Sequence, residues 1–121
     1  MKSYKELEVW QRAIELVTDI YAVSRTFPAA EKYGLTSQMQ RAATSVPANI
    51  AEGWGRGSRK EYLQFLKIAR GSLMELQTHI VIVKALGYTA IPNDERLEKK
   101  VESVAMMLNK LISRLNQSMT P

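Results

Sequence analysis

Cysteine is absent from the 121-residue chain, and histidine occurs once, at His79. The first absence excludes disulfide frameworks, thiolate zinc sites and cysteine nucleophiles, and makes a reducing, cytoplasmic compartment the expected home. The second excludes a ferritin-like di-iron centre, which needs a Glu-x-x-His pair on each of two helices. His79 follows Glu75 by four positions rather than three, so even half of such a site is missing. Long apolar runs are lacking too. No stretch reaches the roughly 18 unbroken apolar residues of a membrane span, and the opening MKSYKELEVW has charges between its apolar residues and does not read as a signal peptide. No Gly-rich phosphate loop with its lysine and no Ser-x-x-Lys pair occurs. These gaps point away from an enzyme and imply neither a cofactor nor a metal.

What is present is an ordinary globular composition, 45% hydrophobic and 24% charged, at a length suited to one domain over residues 1–121. Apolar residues recur at helical spacing in four stretches. Leu7, Trp10, Ile14, Val17 and Tyr21 form one seam, with Val9, Ala13, Leu16 and Ile20 as a second row beside it, and the helix of about 5–25 stops before Phe27-Pro28. Thr36 is the expected N-cap and Gly53 the expected C-terminal glycine of a helix over about 37–52, with Met39, Ala42, Ala43, Val46 and Ile50 inward and Pro47 bending it near Ala43. Ser58 and Glu61 make a capping box that opens a helix over about 59–86, its seam Tyr62, Phe65, Ala69, Leu73, Leu76, Ile80 and Val83, closed by Gly87. After capping residues at Pro92-Asn93-Asp94, Leu97, Val101, Val104, Leu108, Leu111 and Leu115 define a fourth helix over about 94–116. Short connections make successive helices antiparallel. The expected fold is an all-α, up-down-up-down four-helix bundle.

Charge is unevenly placed. Residues 1–55 hold six basic and six acidic side chains and residues 71–121 hold six and five, but residues 56–70 hold five basic and one acidic. Arg59, Lys60, Lys67 and Arg70 fall within about 100° of arc on a helical wheel, and Arg56 continues them into the preceding Gly-Trp-Gly-Arg-Gly turn. A row of cations at successive turns suits a nucleic-acid backbone. Leu63, Leu66 and Met74 lie on the same arc; a purely solvated face would not favour them, and they suggest a second buried surface. On helix two, Gln38, Arg41, Ser45, Asn49 and Glu52 form a polar stripe beside the apolar face. They are either solvated or reach a loop or a neighbouring subunit, with Arg41 and Glu52 supplying charge-assisted hydrogen bonds.

The run QMQRAATSVPANIAEGWGRGSRKEYLQFLKIARGSLMELQT resembles the bacterial four-helix-bundle family of the 23S rRNA intervening-sequence type, and LEVWQRAIEL, FPAAEKYGL and ALGY extend the likeness over nearly the whole length. The resemblance implies assembly into a ring, a homopentamer in the family, and relation to the accessory bundle protein of diversity-generating retroelements, which looks like a nucleic-acid and reverse-transcriptase binding ring. It makes Arg41, Asn49 and Glu52 motif positions at the junction of helices two and three. It also makes Arg56, Arg59, Lys60, Lys67 and Arg70 the candidate basic surface.

Two functions are thus expected. One is a homo-oligomer that associates with structured RNA or DNA through phosphate contacts. The other is a protein-interaction scaffold or accessory subunit whose partner is another polypeptide and whose charges serve solubility.

Overall fold

The computed structural model describes residues 2–88 and 95–119. Within them the chain is all-α: a short 3-10 turn at Tyr4–Glu6, then α1 (Glu8–Ser24), a second 3-10 turn at Ala29–Glu31, α2 (Leu35–Gly55), α3 (Arg59–Ala85) and α4 (Arg96–Met119). There is no strand among the described residues, and none of their helices is long and apolar enough to cross a membrane. The expected caps at Pro92, Asn93 and Asp94 lie outside the described residues.

Local signals explain most of the boundaries. Ser58 is extended, and its Oγ accepts a hydrogen bond from the Glu61 amide at 3.2 Å, which satisfies one of the free amides that open α3. Gly87, at φ 75°, takes the left-handed conformation that glycine adopts without strain just past the helix end. Both boundaries of α2 differ from the sequence reading. The N-cap of α2 is Gly34, not Thr36, so the helix begins two residues early. At its other end α2 runs through Gly53 to Gly55, and the turn is confined to Arg56 and Gly57, the latter at φ 84°.

Gly53 is helical because the neighbouring helix leaves no room for anything else. A Cβ at this position would lie 2.8 Å from the Phe65 Cβ and 3.2 Å from the Tyr62 carbonyl oxygen. The glycine is therefore a close-approach point between α2 and α3, not a helix stop. With Ala42, Ala43 and Ser45, it makes α2 thin on the sides where neighbours approach.

One continuous apolar cluster joins the four helices: Val9, Ala13, Leu16 and Ile20 from α1, Met39, Val46 and Ile50 from α2, Leu66, Leu73, Leu76 and Ile80 from α3, and Val101, Val104 and Leu108 from α4. On α1 the buried row is the second of the two read from the sequence. Ile14 and Tyr21 of the first row remain 38% and 37% exposed. On α3, Leu63 and Leu66 are core residues, 6% and 0% exposed, which overturns their placement on an outward arc. The reason is geometric. α3 packs against α2 on one side and α4 on the other, so its buried arc is wider than one seam and takes in Leu63 and Leu66, while Tyr62 and Phe65 are only half-buried. Met74 does stay exposed, at 45%.

Polar pairs mark the register. Ser45 faces Ser72, Arg70 faces Asn109, Lys84 pairs with Glu98, and Lys100 reaches Asp19 at 2.6 Å. Beyond the helices, the Tyr88 hydroxyl donates to Glu31 at 2.7 Å and its ring packs on Phe27 at 5.5 Å, fastening the end of α3 to the loop between α1 and α2.

Candidate nucleic-acid interface

The basic residues of segment 56–70 do not form one stripe. Arg56 lies at the end of α2, where its Nη2 donates to Glu52 at 2.7 Å, one helical turn back. The same guanidinium is 4.0 Å from Glu61 and sits over the Phe65 ring at 4.8 Å from its centroid. Two carboxylates and an aromatic face thus hold it on the α2/α3 side, away from the cations of α3. It was expected to extend the basic row; instead it closes the α2/α3 corner.

Arg70 also departs from expectation. It is half-buried at the opposite flank of α3, where Nη1 donates to Asn109 Oδ1 of α4 at 3.2 Å. That partner is a neutral amide, so the charge of Arg70 is oriented but not cancelled. Lys60 and Lys67 are exposed and make no ion pair among the described residues, and Arg59 is exposed at the first turn of α3. The arrangement is an edge of α3 turned toward α4, with Lys60, Lys67 and Arg70 supplying uncompensated positive charge. Such an edge can hold an anion by Coulomb attraction and by N–H donation, and lysine and arginine on successive turns can follow a phosphate backbone.

The polar stripe of α2 divides in two. Ser45 and Asn49 are half-buried and belong to the α2/α3 seam. Asn49 Nδ2 donates to both the Ser45 carbonyl and Ser45 Oγ at 2.8 Å, and Ser45 Oγ lies 2.8 Å from Ser72 Oγ, which in turn donates to the Ile68 carbonyl at 3.2 Å. With the Ser72 proton on that carbonyl, the Ser45 hydroxyl is the donor to Ser72. Glu52 anchors Arg56. Gln38 and Arg41 stay exposed. Ser72 and Asn109 were absent from the sequence reading. Ser45 and Ser72 are almost equidistant from the Gly57-Ser58 turn, and that spacing is the signal that could have paired them.

The single histidine has Glu75 as its acid–base neighbour among the described residues. His79 is 6% exposed, with Nε2 at 3.9 Å from Glu75 and Nδ1 buried without a hydrogen-bond partner among the described residues. Tyr62 similarly buries its hydroxyl without a partner among them, and burial raises its pKa from 10.0. Among the described residues no cluster of three His, Asp or Glu side chains could hold a metal ion.

A family model described as 23S rRNA-intervening sequence protein matches residues 5–110. No curated protein matches. Among solved structures, a protein of unknown function from the S23 ribosomal protein family of Bacteroides thetaiotaomicron is similar in fold, with TM-score 0.78 and 21% identity over 87% of this chain and 95% of that one.

Proposed function

The chain belongs to the 23S rRNA-intervening sequence protein family, and on that premise we propose that it is a non-enzymatic, self-associating protein that holds structured RNA or DNA by its phosphates. The observation that carries the reading is the α3 edge: Lys60 and Lys67 free of ion pairs among the described residues, and Arg70 steered by the neutral Asn109. Arg59 stands at the same end of the helix; Arg56, exposed but already engaged by Glu52 at the α2/α3 corner, is set apart from that edge.

The unit is a single up-down-up-down bundle. Its course is supported by the pairing of Ser45 with Ser72, Arg70 with Asn109 and Lys100 with Asp19, and its unity by the one core cluster. Copies associate into a ring, a pentamer by family resemblance. Two different apolar surfaces support that assembly, Ile14 and Tyr21 on α1 and Ile68 and Ile82 on α3, since rings are built from unlike patches joined head to tail. The absence of cysteine supports a cytoplasmic setting.

Binding of a stem-loop RNA or a DNA duplex, measured between about 50 and 200 mM salt, tests the proposal. Affinity should fall by an order of magnitude or more over that range, and Lys60→Glu, Lys67→Glu and Arg70→Glu together should abolish it. Salt-independent binding, or full binding by the triple variant, sinks the reading.

A further inference from the structure

The basic edge of α3 runs into an apolar step that phosphate contacts alone leave unused. Met74 follows Arg70 by one turn of α3, about 6 Å along the axis, and is 45% exposed. On α4, Met106 precedes Asn109 by three residues and is 61% exposed. The Arg70–Asn109 hydrogen bond at 3.2 Å sets the two helices level at that point. With the helices antiparallel, as proposed above, the methionines stand side by side across the seam, within about 2 Å of one height by the helical rise.

Charge around this step has one sign. Residues 62–74 of α3 carry Lys67 and Arg70, residues 103–119 of α4 carry Lys110 and Arg114, and neither stretch holds a carboxylate. On the α3/α4 seam carboxylates begin only beyond the methionines, at Glu102 and at Glu98, which is paired with Lys84. Glu75 lies on the α2 side of α3, beside His79. Asn109 accepts from Arg70 with Oδ1, and its Nδ2 donates to nothing among the described residues, so its amide hydrogens remain for an outside acceptor. Ile68 and Ile82, assigned above to self-association, lie on the other shoulder of α3, about 110° round the helix from Met74 and Val81.

We propose that this step receives unpaired bases: a single-stranded loop lays its phosphates along Lys60, Lys67 and Arg70 and its bases on Met74 and Met106, with Asn109 donating to a base acceptor. This rests on the nucleic-acid reading above and narrows its target to strands with uncovered base faces. A nucleotide is the occupant that both halves of the surface select. It carries an anion and a flat apolar face on one sugar, and a methionine thioether packs on such a face through its polarizable sulfur. In a duplex the base faces are covered by the stack, so a duplex uses the cations and not the methionines. A second copy is disfavoured because two copies of this face repel, and because the acidic flank of α1, Glu8, Glu15 and Asp19, is already paired with Arg12 and Lys100. An acidic peptide matches the cations but brings no flat face beside each charge.

The probe is a stem-loop RNA, compared with the same molecule made abasic through its loop, which keeps every phosphate, and with the fully paired duplex. Affinity is read by fluorescence anisotropy and base contact by methionine-methyl NMR on the intact protein. The abasic loop should bind about tenfold more weakly. The intact loop should move the Met74 and Met106 methyls upfield by ring current, the duplex should not, and buried Met39 should stay in place with either. Met74→Gln with Met106→Gln, both at exposed positions, should lose about the same tenfold on the intact loop while keeping duplex affinity and the salt slope. A DNA stem-loop of the same sequence runs in parallel; the preference shown by either sugar supports the proposal, and the tighter of the two names the source. Equal binding of intact and abasic loops, or unmoved methyls, overturns the proposal and leaves phosphate binding standing. Failure of all these nucleic acids to bind overturns both. Displacement of the RNA by a glutamate- and leucine-rich peptide at comparable affinity, or a fall in particle mass by light scattering in the double variant, also overturns it, since these outcomes assign the methionines to a protein partner or to a second copy.

Discussion

Ser45 of α2 and Ser72 of α3 share a hydrogen bond at 2.8 Å across the tightest seam of the molecule, with Asn49 donating into the same oxygen. Apolar contacts alone tolerate a slide of one helix along its neighbour, whereas a half-buried hydroxyl left without its partner does not, so the pair favours one register. A double-mutant cycle with Ser45→Ala and Ser72→Ala, read by chemical denaturation, should give a coupling energy of about 1 kcal/mol. A coupling near zero would mean that the two hydroxyls are satisfied by water and set nothing.

Two glycines two residues apart should respond to alanine in opposite directions. At Gly55 no atom lies within 4 Å of an added Cβ, so Gly55→Ala should gain up to about 1 kcal/mol of helix propensity. At Gly53 the same propensity gain is opposed by a 2.8 Å approach to the Phe65 Cβ, an atom fixed to the backbone of α3. Overpacking of this kind costs about 1 to 3 kcal/mol, so Gly53→Ala should lower stability and Tm. Stabilisation by both substitutions would show that α2 and α3 are free to separate.

Tyr62 buries its hydroxyl without a hydrogen-bond partner among the described residues. Removing an unsatisfied polar group relieves a desolvation cost, so Tyr62→Phe should hold stability or raise it by about 1 kcal/mol. The phenol also sets a pH response. Its folded pKa is raised by burial above the ordinary 10.0, so the folded state keeps the proton longer than the unfolded state does. Its contribution to stability is complete below pH 10.0 and is lost as pH rises through the folded-state value. Tyr88 shifts the same way, first through its hydrogen bond to Glu31. Denaturation midpoints should be insensitive to these two groups near neutrality and fall above pH 10.0, and the fall should be shallower in Tyr62→Phe. An unchanged alkaline limb in that variant contradicts the assignment.

Helix existence was legible because each apolar run carries its own period and most ends carry a cap. Which row of each helix faces inward was less so. On α1 the five-residue seam from Leu7 to Tyr21 looked dominant, yet the core took the row from Val9 to Ile20, because a wheel shows the width of an apolar arc and not the direction of the neighbours. The same limit put Leu63 and Leu66 beside the lysines of α3, when contact with both α2 and α4 draws them inside. The fate of Arg56 was written more plainly: Glu52 precedes it by four residues, the spacing of an intrahelical ion pair, but it was hidden by reading Gly53 as the helix end. Arg70 and Asn109 are 39 residues apart, and no local pattern joins them.

That separation of Arg56 from the α3 lysines gives the candidate interface its sharpest test. Each phosphate contact contributes about 0.9 to the slope of log affinity against log salt on duplex DNA. Lys67, exposed and free of ion pairs among the described residues, should reduce the slope by about that amount when replaced by alanine. Arg56→Ala removes the same formal charge eleven positions earlier in the chain, but from a guanidinium already engaged by Glu52, near Glu61 and over Phe65. It should leave the slope unchanged and lower affinity by no more than the small screened effect of net charge. Because the charge change is identical in the two variants, a difference between their slopes locates contact, whereas equal loss would move the binding face to the α2/α3 corner.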